Sequence, residues 1–481
     1  MDTARQLPID LLIVLILILG IWQFRTARGA RSGNLTAALA LLCALGAVWY
    51  RHPVLEPSIV VLALLAGGAV GWRVALRVNM IQIPAMVAFQ HGAGGIAAFL
   101  ISFVELTRQR SDLGAPGQFS GLLGVVVGAA TFSGSMVASA RLAGIVRPSP
   151  TVFPKHNGIV AGLVLAILSL AVFAAGSGGS LLLDCSLGLI ALSTILGIAF
   201  SVRVGGADMP VLISFLNATA GLAASFCGLV IQNRLLIACG ATVAASGSIL
   251  THAMCRAMNR SLREVLMPGA RAAAVAAPQG TDRQSAAAPS ASVAEPRKSQ
   301  EVSPLSRAVE AARAAERVII VPGYGMALAH AQFETVKLAN RLREMGKRVK
   351  FAIHPIAGRM PGHMHVLLAE AEADPDTLFD MDDINPEFPS TDLAIVIGAC
   401  DVVNPAAVSQ EGTPISGMPI LAAHEARCVL VCNLDARPGY SGVDNPLYAN
   451  PKAILMLGDA KTSLSDLLQA LGDTACGRQR G

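Results

Sequence analysis

The chain has 481 residues, 53% hydrophobic and only 14% charged, with a mean hydropathy of +0.56. Soluble domains carry about 25% charged residues, so this composition excludes a wholly soluble globular protein. The net charge of +5 is small, and its arginines sit in short loops between apolar runs; that pattern reads as membrane orientation and argues against a nucleic-acid surface.

Apolar stretches recur at 8–23, 35–50, 57–76, 84–106, 117–141, 158–176, 180–202, 209–231 and 234–257. Most approach the roughly 20 residues needed to cross a hydrocarbon core about 30 Å thick. The first run is followed by three arginines and has no small-residue cleavage site, so it reads as a retained anchor and not as a signal peptide. With the N-terminus outside, the inner loops hold Arg25, Arg28, Arg31, Arg73, Arg77, Arg141, Arg147, Lys155, Arg203, Arg256, Arg260 and Arg263, and the outer loops hold Arg51, Arg108, Arg110 and Arg234. That excess obeys the positive-inside bias and puts the C-terminal tail in the cytoplasm. An even number of spans would spoil it. Cysteines show no paired metal or redox spacing, which agrees with a reduced compartment for the tail.

Polar groups inside the spans are few. His91 lies well within the fourth run, in Phe89-Gln-His-Gly. An imidazole there can titrate and pass a proton, or it can stay neutral and bond to a neighbouring helix. Asp208, before Met209-Pro210, suits a helix N-cap, and a cap at a helix end can also be a gate. Asn217 lies mid-span, where an amide most often bonds between helices. Thr131, Ser133 and Ser135 allow close packing and could orient water, while Gly124 and Gly128 form a small-xxx-small packing pair.

Residues 1–265 are therefore expected to form a transmembrane domain. Residues 266–305, rich in Ala, Ser and Pro, are expected to form a flexible linker, with a soluble domain over 306–481. In the tail, strand-like runs lie at Val318–Val321, Val349–Ile353, Leu393–Ile397, Val429–Val431 and Ile454–Leu457. Helical patterns lie around 304–315, 326–345, 362–373 and 462–471. This alternation predicts an α/β domain with a doubly wound parallel sheet. Ligands then bind at the carboxyl ends of the strands, in the loops Gly323–Ala327, His354–Gly362, Gly398–Ala406, Asn433–Asn445 and Gly458–Lys461. A β-branched strand feeding Gly323-Tyr324-Gly325 is the local grammar of dinucleotide binding. Two departures stand out: Leu328 occupies the third small position, and His354, not an acid, ends the second strand.

Several separate segments carry a resemblance. They are Pro322-Gly-Tyr-Gly-Met-Ala, His354-Pro-Ile-Ala-Gly-Arg-Met-Pro-Gly-His, Val366-Leu-Leu-Ala-Glu-Ala, Val403-Asn-Pro-Ala-Ala, Gly439-Tyr-Ser-Gly-Val-Asp-Asn-Pro and Gly458-Asp-Ala-Lys. The membrane half adds Gly205-Gly-Ala-Asp-Met-Pro, Leu216-Asn and the His91 span. Over nearly its whole length the chain resembles the beta subunit of proton-translocating nicotinamide nucleotide transhydrogenase. The resemblance implies an integral protein of the bacterial inner membrane whose Rossmann-like tail binds NADP(H). It implies an alpha subunit carrying NAD(H), and a homodimer of alpha–beta units in membrane lipid. Hydride transfer between the nucleotides would be coupled to proton translocation.

It further implies that the turn Gly323, Tyr324, Gly325, Met326 and Ala327 approaches the pyrophosphate. Ala357, Gly358, Arg359, Met360 and Pro361 would form a second contact loop, with Arg359 supplying charge. Asp401 and Asn404 would lie near the nicotinamide; Arg437, Gly439 and Tyr440 would belong to a lid, and Asp459 and Ala460 to the last loop. His91, Asp208 and Asn217 would serve the proton path and its coupling. One departure is serious: where the family has a Lys-Arg-Ser triplet gripping the 2′-phosphate, this chain has Asn433-Leu434-Asp435, and Cys400 stands where Asn is usual. Weakened NADP(H) affinity, with NAD(H) accepted, is the expectation. Two alternatives stay open: a divergent paralogue with altered nucleotide preference, and a nucleotide-sensing transporter without a redox step.

Overall fold

The computed structural model describes residues 3–23, 29–51, 57–78, 82–108, 114–146, 151, 153–177, 179–205, 208–266, 303–360, 362–411, 413, 415–439 and 441–473. The chain divides into two compact units, Met1–Ala253 and Met254–Gly481.

The first unit is helical. Its helices are α1 (Thr3–Gln23), α2 (Gly29–Arg51), α3 (Pro57–Arg77), α4 (Ile83–Arg108), α5 (Ala115–Leu142), α6 (His156–Gly176), α7 (Gly179–Val202), α8 (Met209–Val230) and the start of α9 (Arg234–Ala257). Among the described residues these nine are long and apolar enough to cross a membrane, as the apolar runs predicted. Helix α5 is the hub, packing against α4, α7 and α8. Small residues allow the approach: a Cβ at Gly95 would lie 2.9 Å from the Gly128 carbonyl, and one at Gly128 would lie 2.9 Å from Phe99. Helix α8 meets α9 in the same manner, with Gly221 against Ala244 and Gly228 against Ile237. Helix α3 buries none of its residues within the chain, so its apolar surface is at ease only in hydrocarbon. Asp10 and Arg51 tie α1 to α2 through an ion pair of 2.5 Å, both side chains about nine-tenths covered.

The second unit, beyond the end of α9 and the short α10 (Leu262–Leu266), is an α/β domain. Its strands are β1 (Arg317–Pro322), β2 (Arg348–Ile353), β3 (Leu378–Asp380), β4 (Leu393–Ile397), β5 (Cys428–Asn433) and β6 (Ala453–Leu457). They form one sheet in the order β3-β2-β1-β4-β5-β6, and every pairing is parallel. Both faces are covered at the centre of the sheet, so Val318–Pro322 of β1 and Leu393–Ile397 of β4 are continuously apolar. Ile319, Val321, Val396 and Val431 pack on one side with Ile384, Phe388 and Leu421.

The helices are α11 (Pro304–Ala314), α12 (Tyr324–Leu328), α13 (Gln332–Glu344), α14 (His363–Glu370), α15 (Met381–Ile384), α16 (Ala406–Ser409) and α17 (Ala460–Asp473). Two expectations are corrected here. Five strands were read where six form; the sixth, β3, has three residues at the sheet edge. The single helix expected over 326–345 is broken into α12 and α13, because His330 turns left-handed at φ 51° and the Ala331 N–H closes back on the Met326 carbonyl at 3.0 Å.

Candidate functional site

Strand order reverses between β1 and β4, since β1 leads to β2 on one side and to β4 on the other. In an open parallel sheet that is where a crevice forms at the carboxyl ends. Here the two loops are interlocked. The Gly323 N–H donates to the Ile397 carbonyl and the Gly325 N–H to the Gly398 carbonyl, both at 2.8 Å. Gly398 is left-handed (φ 64°), and a Cβ there would collide with the Met326 amide. A Cβ at Gly325 would lie 2.7 Å from the Gly398 Cα. The glycines of the first turn thus admit the backbone of the β4 loop. Met326 and Ala327 are fully buried, whereas Leu328 is 55% exposed. No small residue is needed at that third position.

The loop after β2 joins from the other side. The Arg359 guanidinium lies 4.9 Å over the Tyr324 ring, and Tyr324 meets His363 with ring centroids 6.2 Å apart. The Arg359 N–H donates to His363 Nδ1 at 3.1 Å, and His363 Nε2 is buried without a hydrogen-bond partner among the described residues. Gly358 takes φ 110°, and a Cβ there would also fall on the His363 ring, so both its backbone and its surroundings call for glycine. Ala357 and Met360 are buried, and Pro361 lies outside the described residues. Burial, with Arg359 adding to it, lowers the His363 pKa to about 4. His354 accepts the Ile356 N–H at Nδ1 (3.3 Å) and bonds through Nε2 to the Pro419 carbonyl (2.9 Å). Burial lowers it to about 4 as well, against the opposing pull of that carbonyl. It is a pin between loops.

Asp401 and Asn404 follow β4, and both hold the loop after β5. Asp401 accepts from the Ser441 hydroxyl at 2.6 Å and the Ser441 N–H at 3.1 Å, and Gly439 packs against its carboxylate. Asn404 is wholly buried; it donates to the carbonyls of Val443 and Asp444 and accepts the Ala406 N–H at 3.0 Å. Tyr440, between these anchors, lies outside the described residues. Asn433 turns inward, donating to the Ala399 carbonyl at 2.8 Å and to Tyr448 Oη at 2.7 Å. Burial raises the Cys400 thiol and the neighbouring Tyr448 hydroxyl, so this cluster stays neutral. Leu434 is 76% exposed. Arg437 reaches Asp435 at 3.6 Å and donates its N–H to the same carboxylate at 3.0 Å. After β6, Asp459 caps α17 by accepting the Thr462 N–H at 3.0 Å, and Ala460 is buried.

The fold therefore gathers Gly323–Ala327, Ala357–Met360, Asp401 and Gly439 along the carboxyl-terminal edge of the sheet, after β1, β2, β4 and β5. Gly398 and Ser441 fell within loops read as ligand-binding without being singled out as site residues, and His363 and Tyr448 lay outside those loops. Gly398 follows a strand as Gly323 does, and that parallel was the available signal.

In the helical unit, His91 is half-buried on α4 and its Nδ1 has no hydrogen-bond partner among the described residues. Asn217 is half-buried on α8, and α4 and α8 pack together. Asp208 stands at the N-cap of α8 as expected, but its side chain does not cap the helix.

Such a site defines a class: a polytopic membrane protein carrying a parallel-sheet unit of dinucleotide-binding type. Residues 8–470 match the family model for the NAD(P) transhydrogenase beta subunit, and the chain belongs to that family. Two sequences from Rhodospirillum rubrum, each named NAD(P) transhydrogenase subunit beta, are 37% identical over 464 residues, covering 95% of this chain and 97% of the relative. Membership brings an alpha subunit as partner and the use of both NAD(H) and NADP(H) by the assembled enzyme.

Proposed function

We propose that the chain is the nucleotide-binding, proton-translocating half of a transhydrogenase that runs NADH + NADP⁺ ⇌ NAD⁺ + NADPH, with NAD(H) held on the alpha subunit. The observation that carries this reading is the interlock of Gly323, Gly325 and Gly398 at the β1/β4 switch point, with Arg359 braced over Tyr324 beside it. A dinucleotide pyrophosphate suits that edge, because Arg359 brings a cation and the glycine turn lets backbone come close.

When bound, the nicotinamide supplies the hydride chemistry. This chain's residues bind, orient and exclude water, since hydride transfer between two such rings needs apposition more than an acid–base pair. Asp401 and Asn404 hold the 439–445 segment across the edge and so position the lid that would contain Tyr440. Residues 1–265 form the proton-translocating domain in this reading, 266–305 the linker and 306–481 the nucleotide domain. His91, Asn217 and Asp208 carry and couple the proton, with the N-terminus outside and the nucleotide domain in the cytoplasm of a bacterium. One charge crossing about 200 mV is worth about 4.6 kcal/mol, which shifts the hydride equilibrium about a thousandfold.

A second reading, altered nucleotide preference, is favoured by the β5 loop. Asn433 is engaged with Ala399 and Tyr448, and Asp435 answers the charge of Arg437. That donor set does not fit a doubly charged 2′-phosphate. The test of the main reading is co-reconstitution with the alpha subunit in vesicles, following nucleotide reduction and internal pH together. Coupled changes that His91→Asn abolishes are expected. The same rate and extent of exchange with and without an ion gradient would overturn it.

A further inference from the structure

Two arginines occupy the place where α5 and α7 end. Arg141, 3% exposed, donates from Nη1 to the Val204 carbonyl (2.6 Å) and from Nη2 to the Val202 carbonyl (2.7 Å). It thereby satisfies carbonyls that the end of α7 leaves open. Arg203 lies in sequence between those two acceptors and is also 3% exposed. Among the described residues none of its three guanidinium nitrogens has a hydrogen-bond partner, and neither has Arg141 Nε. Thr151 and His156 also meet this end, with the Thr151 N–H on the Val202 carbonyl (2.9 Å) and His156 Nε2 on the Ala199 carbonyl (2.8 Å).

A desolvated cation without a counter-charge is among the most unfavourable arrangements a protein can hold, and two neighbouring cations make it worse. The local sequence supplies little relief. In 141–160 and 199–210, Asp208 is the one carboxylate, against Arg141, Arg147, Lys155 and Arg203. The four open N–H-bearing nitrogens instead describe a receptor for a planar-forked or tetrahedral oxyanion.

We propose that Arg203, assisted by Arg141 Nε, binds the phosphate group of a phosphate-bearing anion at this end of the helical unit. Depth favours a phospholipid headgroup as the source. Helix α5 has 28 residues, about 42 Å at the α-helical rise, so its last turns reach beyond a hydrocarbon core about 30 Å thick into the phosphate layer. Beside the site, Ile145 is 79%, Val146 48% and Phe153 51% exposed, an apolar rim suited to acyl chains. Free inorganic phosphate is the other source of the same chemistry.

The experiment takes the full chain purified in mild detergent. Phosphorus analysis and native mass spectrometry should find a retained phospholipid, and Arg203→Gln should lower its retention about tenfold or more. Arg256→Gln, at an exposed position on α9, should leave it unchanged. After stripping with excess detergent, inorganic phosphate should raise the melting temperature more than chloride at equal ionic strength, and only when Arg203 is present. A phosphate effect without retained lipid assigns the site to the free ion. Wild-type protein with neither bound phosphorus nor a phosphate-specific shift overturns the proposal, and so does undiminished retention in Arg203→Gln. The wild-type measurements decide the matter if that variant fails to fold.

Discussion

Gly398→Ala tests the idea that the β1 and β4 loops form one interlocked edge. The residue is left-handed at φ 64° and its missing Cβ would meet the Met326 amide. Gly346→Ala is the matched control. Gly346 is also left-handed (φ 82°), in the turn that ends α13, and a Cβ there would meet nothing within 4 Å. Both variants lose about 1–2 kcal/mol to left-handed strain. Only Gly398→Ala adds the cost of inserting an atom into close-packed backbone, about 1–3 kcal/mol. The expected losses are therefore about 2–5 kcal/mol against about 1–2 kcal/mol. All three tryptophans, Trp22, Trp49 and Trp72, lie in the helical unit, so the α/β unit is best followed by amide hydrogen exchange in β1 and β4. Exchange at the Gly323 and Gly325 amides should rise selectively in Gly398→Ala, and nucleotide affinity should fall about tenfold or more. Equal destabilisation of the two variants, or unchanged nucleotide affinity in Gly398→Ala, would refute the interlock as the basis of the site.

Two other outcomes follow from charge. Asp435→Lys removes the anion that answers Arg437, so NADP(H) should gain about tenfold over NAD(H) in paired titrations; an unchanged ratio would show that the β5 loop does not read the 2′-phosphate. His354 and His363 are lowered from 6.5 to about 4 in the folded chain, so the unfolded chain binds more protons between those values. The α/β unit should then hold its full stability above pH 6.5 and lose up to about 3 kcal/mol per histidine as pH falls towards 4. Hydrogen exchange at pH 7 and pH 5 checks this, and identical protection at both would refute it.

The sequence was legible wherever one short-range pattern decided the outcome. All nine apolar runs became helices because a run of that length has no other way to satisfy its backbone in lipid, and the four interior strands and the edge strand β6 were apolar enough to be read as strands. The strand Leu378–Asp380 was missed because three residues at a sheet edge carry no periodicity. The break at His330 was missed because Leu328-Ala-His-Ala contains neither Gly nor Pro; a backbone turn closed by Ala331 made it. At the site, Gly323 and Arg359 were visible as motif residues. Their supports were not: Ser441 meets Asp401 across forty positions of chain, and Gly398 meets Gly325 only after β1 and β4 have paired.

Those long-range contacts also change what the acidic and amide side chains at this edge can be doing. Asp401 and Asn404 use their oxygen and nitrogen atoms on Ser441, Val443, Asp444 and Ala406, and so fix the path of the β5 loop over the β4 end. Arg359 and Tyr324 similarly fix the β2 loop against the β1 turn. The sheet edge is thus four loops cross-braced in series, β2 to β1 to β4 to β5. A ligand that displaces one brace acts on all of them, because close-packed loops shift between discrete arrangements and do not deform smoothly. If nucleotide occupancy is signalled out of this unit, that serial bracing is the physical element able to carry it. The series ends on the β5 loop, where Leu434, Asp435 and Arg437 are exposed and so open to a partner.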